Sequence, residues 1–325
     1  MKVAELLKRR REHWQELERL CDLVASKRKK SLLPEQISRF ATLYRAACAD
    51  LALADSYQLP PNTVQYLHRL VGRAHNQLYR SQQFNIRTWA EILLMEVPQK
   101  IFRDRCVQLM FCLFWGGFLL SAWLAYSTAF WPQYATNMLT DQGIESMTEM
   151  FKNPISRGPG QSSANFAAAG FYIQHNTTIG LKCFGGGLGV IPGIFITLYN
   201  AAHLGAAFGY MARPDVAQGE NFFHFVTAHG PFELTAIVLS AGAGLRLGMS
   251  WISTQRLTRI ESLKKTAREA MPIMGAAMIM FFLAALIEGF ISPSPLPYIV
   301  KATISVCSSS MLMFYFVVLG FPRTR

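Results

Sequence analysis

Ionisable side chains inside long apolar runs are rare, and this sequence spaces three of them in a way that supports chemistry. His229-Gly230-Pro231-Phe232-Glu233 puts an imidazole and a carboxylate four residues apart, on one face of a helix. Glu288 stands near the end of a later apolar run, and His175-Asn176 stands at the mouth of an earlier one. Two imidazoles and two carboxylates are a ligand set for a metal ion of zinc type, or a relay for a proton. The simpler account is a buried hydrogen-bond network of His229, Glu233 and Glu288 that locks helices together, with Glu288 neutral or bonded to backbone beside Pro293. That account needs no cofactor, and a metal ion at His229, Glu233 and Glu288 is its alternative. No H-E-x-x-H pattern is present, so a zincin protease is not supported. Lys182 and His203 read as groups that snorkel or face a cavity. His68 and His75, seven residues apart, read as core or interface side chains rather than ligands.

The second chemical suggestion is glycine. Gly185, Gly186 and Gly187 imitate a phosphate loop, yet no Gly-Lys-Ser/Thr ending follows and the run is apolar, so nucleotide binding fails. With Gly189, Pro192 and Gly193 they read instead as a helix break, because glycine weakens a helix and proline removes a donor. Small residues at Gly205 and Gly209, and at Gly242, Gly244 and Gly248, suit close helix contacts.

These residues need long apolar helices to position them. Val107–Phe130 carries no charge over 24 residues, enough for one tilted crossing of a hydrocarbon layer about 30 Å thick. Residues 177–212 would form a helix about 54 Å long, too much for one pass, and the glycine break predicts two short passages. Further spans are expected at 222–245, 272–291 and 299–319. Loop charge counts the crossings: 246–270 has six basic residues against Glu261 and Glu269, whereas 131–176 has Lys152 and Arg157 against three acids. Basic loops stay inside, which favours six passages over five and puts the N-terminus, the 246–270 loop and the C-terminus in the cytoplasm.

The rest of the chain is different in kind. Of 325 residues 51% are hydrophobic and only 16% charged, with mean hydropathy +0.19, which makes an ordinary soluble enzyme a poor fit. Yet residues 1–106 hold 19 Lys/Arg against 11 Asp/Glu, a surplus of eight out of the total of +12. Beside a membrane span this surplus reads as attraction to anionic lipid rather than to nucleic acid. No apolar stretch suited to a cleaved signal peptide lies in the first 30 residues. Residues 4–24 read as a charged helix. Ile37, Phe40, Tyr44, Ala47, Leu51 and Ala54, then Val64, Leu67, Val71, Ala74 and Leu78, read as two antiparallel amphipathic helices joined at Pro60-Pro61. A further helix over 86–97, with Trp89, Ile92 and Leu93, would lie at the membrane surface before Pro98 turns the chain inward. The six cysteines lack C-x-x-C spacing and point to neither disulfides nor a zinc knuckle.

The fold expected is therefore all-α: a cytosolic helical module over 1–100 and a polytopic helical membrane domain over 101–325. The strings GGGLGVIPGIFITLYNAAHLGAAFGY, HGPFELTAIVLSAGAGLRLG and IEGFISPS resemble the stage II sporulation protein M family of polytopic bacterial membrane proteins, over most of residues 35–320. The resemblance implies a non-catalytic organiser of the bacterial cytoplasmic membrane, since the family's namesake resembles a scaffold that gathers peptidoglycan-degrading partners. It makes His229, Glu233 and Glu288 family-motif positions, and the N-terminal module an addition to the namesake. The expected partners are membrane lipid, membrane or cytosolic proteins, and further copies of the chain, with no nucleic acid. The alternatives are a transporter or channel around the broken 177–212 segment and an intramembrane metal-dependent enzyme.

Overall fold

Every regular element is helical among residues 10–26, 34–78, 90–157 and 161–321, which the computed structural model describes. The chain divides into two units, Met1–Asn85 and Ile86–Arg325.

The first unit contains α1 (Arg11–Ser26), α2 (Pro34–Ser56) and α3 (Pro61–Leu78). Phe40, Leu43, Ala47 and Ala54 from α2 meet Leu67, Leu70 and Ala74 from α3, as the periodicity predicts. The charged first helix joins them, burying Trp14, Leu17 and Cys21 at steps of three and four. The pair is thus a three-helix core. Its one buried carboxylate among the described residues, Asp50, accepts from Trp14 Nε1 at 2.9 Å and from Arg10 Nη1 at 2.6 Å, so its desolvation is offset. Burial pushes the Cys21 thiol up to about 11, which keeps it protonated and inert. His75 Nδ1 lies 2.9 Å from the Tyr44 hydroxyl, while His68 lies 3.6 Å from Asp55, so the two histidines serve different partners.

The second unit begins with a π-helical turn at Ile92–Glu96 that runs into α4 (Val97–Arg103). Pro98 sits in the first turn of α4, where a missing N–H costs nothing, and continues the helix instead of breaking it. Ile86 and Trp89 lie outside the described residues. The first long helix, α5 (Arg105–Tyr126), is capped by Asp104, which accepts from Cys106 N and Val107 N, and it stops four residues before Phe130. Two short helices follow, α6 (Tyr134–Leu139) and α7 (Asp141–Met150).

The expected pair of short passages over 177–212 is corrected here. The first arm, α8 (Ser162–Gly187), starts fifteen residues earlier than the apolar run, and α9 (Ile191–Met211) follows after a three-residue turn. Gln174, Asn176 and Lys182 hide the first arm from a hydropathy reading, but Ala169, Asn176, Gly180, Cys183 and Gly187 form its buried stripe. Residues 222–245 also divide differently: α10 (Gly219–Val226) ends at a turn, and Pro231 restarts the chain as α11 (Gly230–Ile252). Most of the expected basic loop is helical too, because α12 (Arg259–Leu286) begins at a capping box between Thr258 and Glu261 and passes through Pro272. It continues as a π-helical turn, Ile287–Ile291. The last helix, α13 (Tyr298–Met313), runs on to Val318.

Among the described residues, five helices are long and apolar enough to cross a membrane: Arg105–Tyr126, Ile191–Met211, Gly230–Ile252, Arg259–Ile291 and Tyr298–Val318. The chain is an all-α polytopic membrane protein, and α11 lies at the centre of its second unit, packed by α5, α8, α9, α12 and α13.

Candidate functional site

Three elements deliver the site. His229 caps the N-terminus of α11 and Glu233 follows in its first turn, so the helix dipole favours the carboxylate. Glu288 comes from the π-helical turn that ends α12, a local underwinding of the helix that is frequent at functional sites. Asn176 comes from the buried stripe of α8. Close approach of α8 to this turn needs glycine, since a Cβ on Gly289 would press against the backbone of Ala169.

The geometry is specific. His229 Nε2 lies 3.6 Å from Glu233 Oε2 and 4.0 Å from Glu288 Oε1. One ligand atom from each of the three residues falls within 4.8 Å of the others. The imidazole is fixed from behind: Nδ1 lies 2.9 Å from Ser292 Oγ, and Phe225 packs edge-on at 5.8 Å. Asn176 Nδ2 donates to Glu288 Oε2 at 3.5 Å. His229, Glu288 and Asn176 are buried, with Glu233 only slightly more open.

The expected network of direct hydrogen bonds among His229, Glu233 and Glu288 is not what forms. Their separations of 3.6 and 4.0 Å exceed the range of an N–H···O bond. His175 is also set apart. One residue along a helix turns about 100°, so Asn176 faces inward while His175 is exposed and stacks on Phe171. Lys182 and His203 are exposed on their helices, His203 against Tyr199.

A residue that sequence reasoning missed is Ser292, which links the cluster to a cleft. It holds His229 and also lines a cleft of 330 Å³ with Glu220, His224, Pro295 and Lys301. Lys301 Nζ donates to Ser292 O at 2.6 Å, and Arg157 N donates to Pro293 O at 2.6 Å, so this turn is tied from two sides. The signal was present in Ile-Ser-Pro-Ser after Glu288: serine and proline at a helix end mark a turn whose hydroxyl can face inward.

The glycine break does other work. Gly187, Gly193 and Gly244 bring α8, α9 and α11 into backbone contact, so a Cβ on Gly187 would overlap the Gly244 carbonyl carbon and the Leu245 nitrogen. Val190 turns the chain at φ 58°. Within the broken segment, α8 and α9 meet backbone to backbone at Gly187 and Gly193.

At the far end of α11 a second charged group forms. Arg246 pairs with both Asp104 and Glu269. Asp104 is buried and already caps α5.

These features define a polytopic helical membrane protein with a polar site at one end of its central helix. The model of the stage II sporulation protein M family matches residues 110–293, and the chain belongs to that family. The match covers α5 to α12 and both motif carboxylates, but not the N-terminal module. Residues 4–80 match instead a domain of unknown function (DUF8413), which narrows the resemblance first drawn over 35–320. No curated protein and no solved structure matches the chain.

Proposed function

We propose that the protein is an integral membrane organiser of a bacterial envelope process, holding partners at the cytoplasmic membrane through its N-terminal helical module. The observation that carries this reading is the pairing of two separately matched parts: a family membrane unit, and a helical module that packs around its own core. The glycine contacts around Gly187 and Gly244 support an organiser over a transporter, because a path at that level would require backbones in contact to separate. The organiser needs no resident cofactor.

The topology that goes with it has six passages, counting α8, whose 26 residues span about 39 Å. The loop between α11 and α12 and both termini then face the cytoplasm, because its basic residues are retained there. Gln255 in this loop is exposed and suits a cysteine reporter. A Gln255→Cys variant is expected to resist a membrane-impermeant thiol reagent in intact cells and react after lysis. The functional test deletes residues 1–85 from the chain. The shortened protein is expected to insert and purify normally while losing its crosslinked neighbours. Retention of the same neighbours would contradict the organiser, and solute flux through reconstituted protein would favour transport.

A further inference from the structure

We infer that His229, Glu233 and Glu288 form a binding site for one divalent transition-metal ion of the zinc class, completed by a water or an exogenous ligand. This goes beyond the organiser reading and does not rest on it.

Two carboxylates share one buried pocket with a single imidazole, and two like charges there require a proton or a cation. A shared proton would draw two oxygens to about 2.5–2.7 Å of each other, and no hydrogen bond joins Glu233 to Glu288 among the described residues. The separations found, 3.6 and 4.0 Å from Nε2 to the two carboxylates, are too long for direct hydrogen bonds. They are close to the edge of a tetrahedron around an ion with bonds of about 2.0–2.2 Å, which is about 3.4 Å. Contraction by about 0.2 and 0.6 Å brings these two edges to that length, and the third edge, between the carboxylates, lies within 4.8 Å.

The surroundings match what a metal requires of its second shell. Ser292 Oγ engages Nδ1, which leaves Nε2 as the ring nitrogen turned to the carboxylates. Asn176 engages Oε2 of Glu288 and leaves Oε1 on the imidazole side. His229 and Glu288 thus each have one atom held and one atom offered, the arrangement that orients first-shell ligands. Three protein ligands with nitrogen and oxygen donors leave a fourth position open, as at zinc sites that bind water. Ser292, which holds the imidazole, also lines the nearby cleft together with Glu220, His224 and Lys301.

The test uses the full chain in detergent, stripped with a chelator and titrated with Zn²⁺ and with Co²⁺. One ion per chain is expected, with the visible absorption of a four- or five-coordinate Co²⁺ site. Glu288→Gln and Glu233→Gln are expected to abolish it. Ser292→Ala keeps all three ligands and is expected to weaken binding about 10- to 100-fold, while Glu220→Gln in the cleft is expected to leave it unchanged. Should the glutamine variants fail to fold, the titration of the unaltered chain and of Ser292→Ala still decides. No stoichiometric binding by the unaltered chain overturns the site, as does wild-type affinity in Ser292→Ala together with either glutamine variant.

Discussion

The two ends of α11 carry charged groups about 20 Å apart along one helix, and they solve opposite problems. At the C-terminal end Arg246 stands between Asp104 and Glu269, and Asp104 also receives two backbone N–H groups. The cation is part of the chain. At the N-terminal end two carboxylates face an imidazole with no hydrogen bond among the three. There the chain supplies acceptors and leaves the cation to come from outside. The lesson is that burial of charge does not by itself mark a functional site; what separates the two ends is whether the donors and acceptors balance within the protein.

Four changes break or sharpen that contrast. The largest effect is expected from Arg246→Met, which leaves Asp104 buried without its partner and should cost about 3 kcal/mol, seen as a lower unfolding temperature in detergent. Added metal should not restore it. A loss under about 1 kcal/mol would make this end no more structural than the other. Next, saturating Zn²⁺ at a hundredfold over its Kd should stabilise the unaltered chain by about 2.7 kcal/mol and Glu288→Gln not at all. An equal rise in both proteins would assign the effect to another site.

Third, Gly244→Ala should cost about 1–3 kcal/mol because its Cβ meets the backbone of Phe184, which would unsettle the rod that holds both ends. Gly275→Ala, in open space, should be neutral or slightly stabilising. Equal unfolding temperatures for the two variants would show that the glycine contact is not tight. The smallest effect is expected at the exposed pair of the N-terminal module. Arg39 donates to both oxygens of Glu16 and holds its carboxyl below the ordinary 4.5. Because the folded value is lowered, the stabilisation is present above the unfolded value and is lost as pH falls through the folded one. Both groups are screened by solvent, so it is the smallest of the four effects. Hydrogen exchange in α1 and α2 of Glu16→Gln, compared with the unaltered chain from pH 7 to pH 3, would show the difference vanish in acid.

Much of this arrangement was legible in the sequence. The i, i+4 spacing of His229 and Glu233 placed them together, and Glu288 was found because a carboxylate so deep in an apolar run needs a reason. The family motifs were read correctly from the same strings, and the matched range 110–293 contains all three residues. What the sequence hid follows from the limits of hydropathy. Ser162–Asn176 is polar enough to pass as a loop, yet alanines and a buried stripe make it helix. His175 and Asn176 are adjacent in sequence, and only the helical turn decides that one faces inward and the other outward. Arg246 and Glu269 were counted as loop charges, because nothing local shows that Asp104, 142 residues away, caps another helix beside them. Trp14, Leu17 and Cys21 did carry a readable three- and four-residue period, masked by the charges around them.

The measurement that bears most directly on the contrast between the two ends is X-ray absorption at the zinc edge on the purified chain, loaded with one equivalent after chelator treatment. The account predicts a first shell of four nitrogen and oxygen atoms at about 2.0–2.1 Å, with the outer scattering of a single imidazole. That imidazole signal should disappear in His229→Ala. A spectrum of hydrated zinc with no imidazole, or one unchanged in His229→Ala, would contradict it.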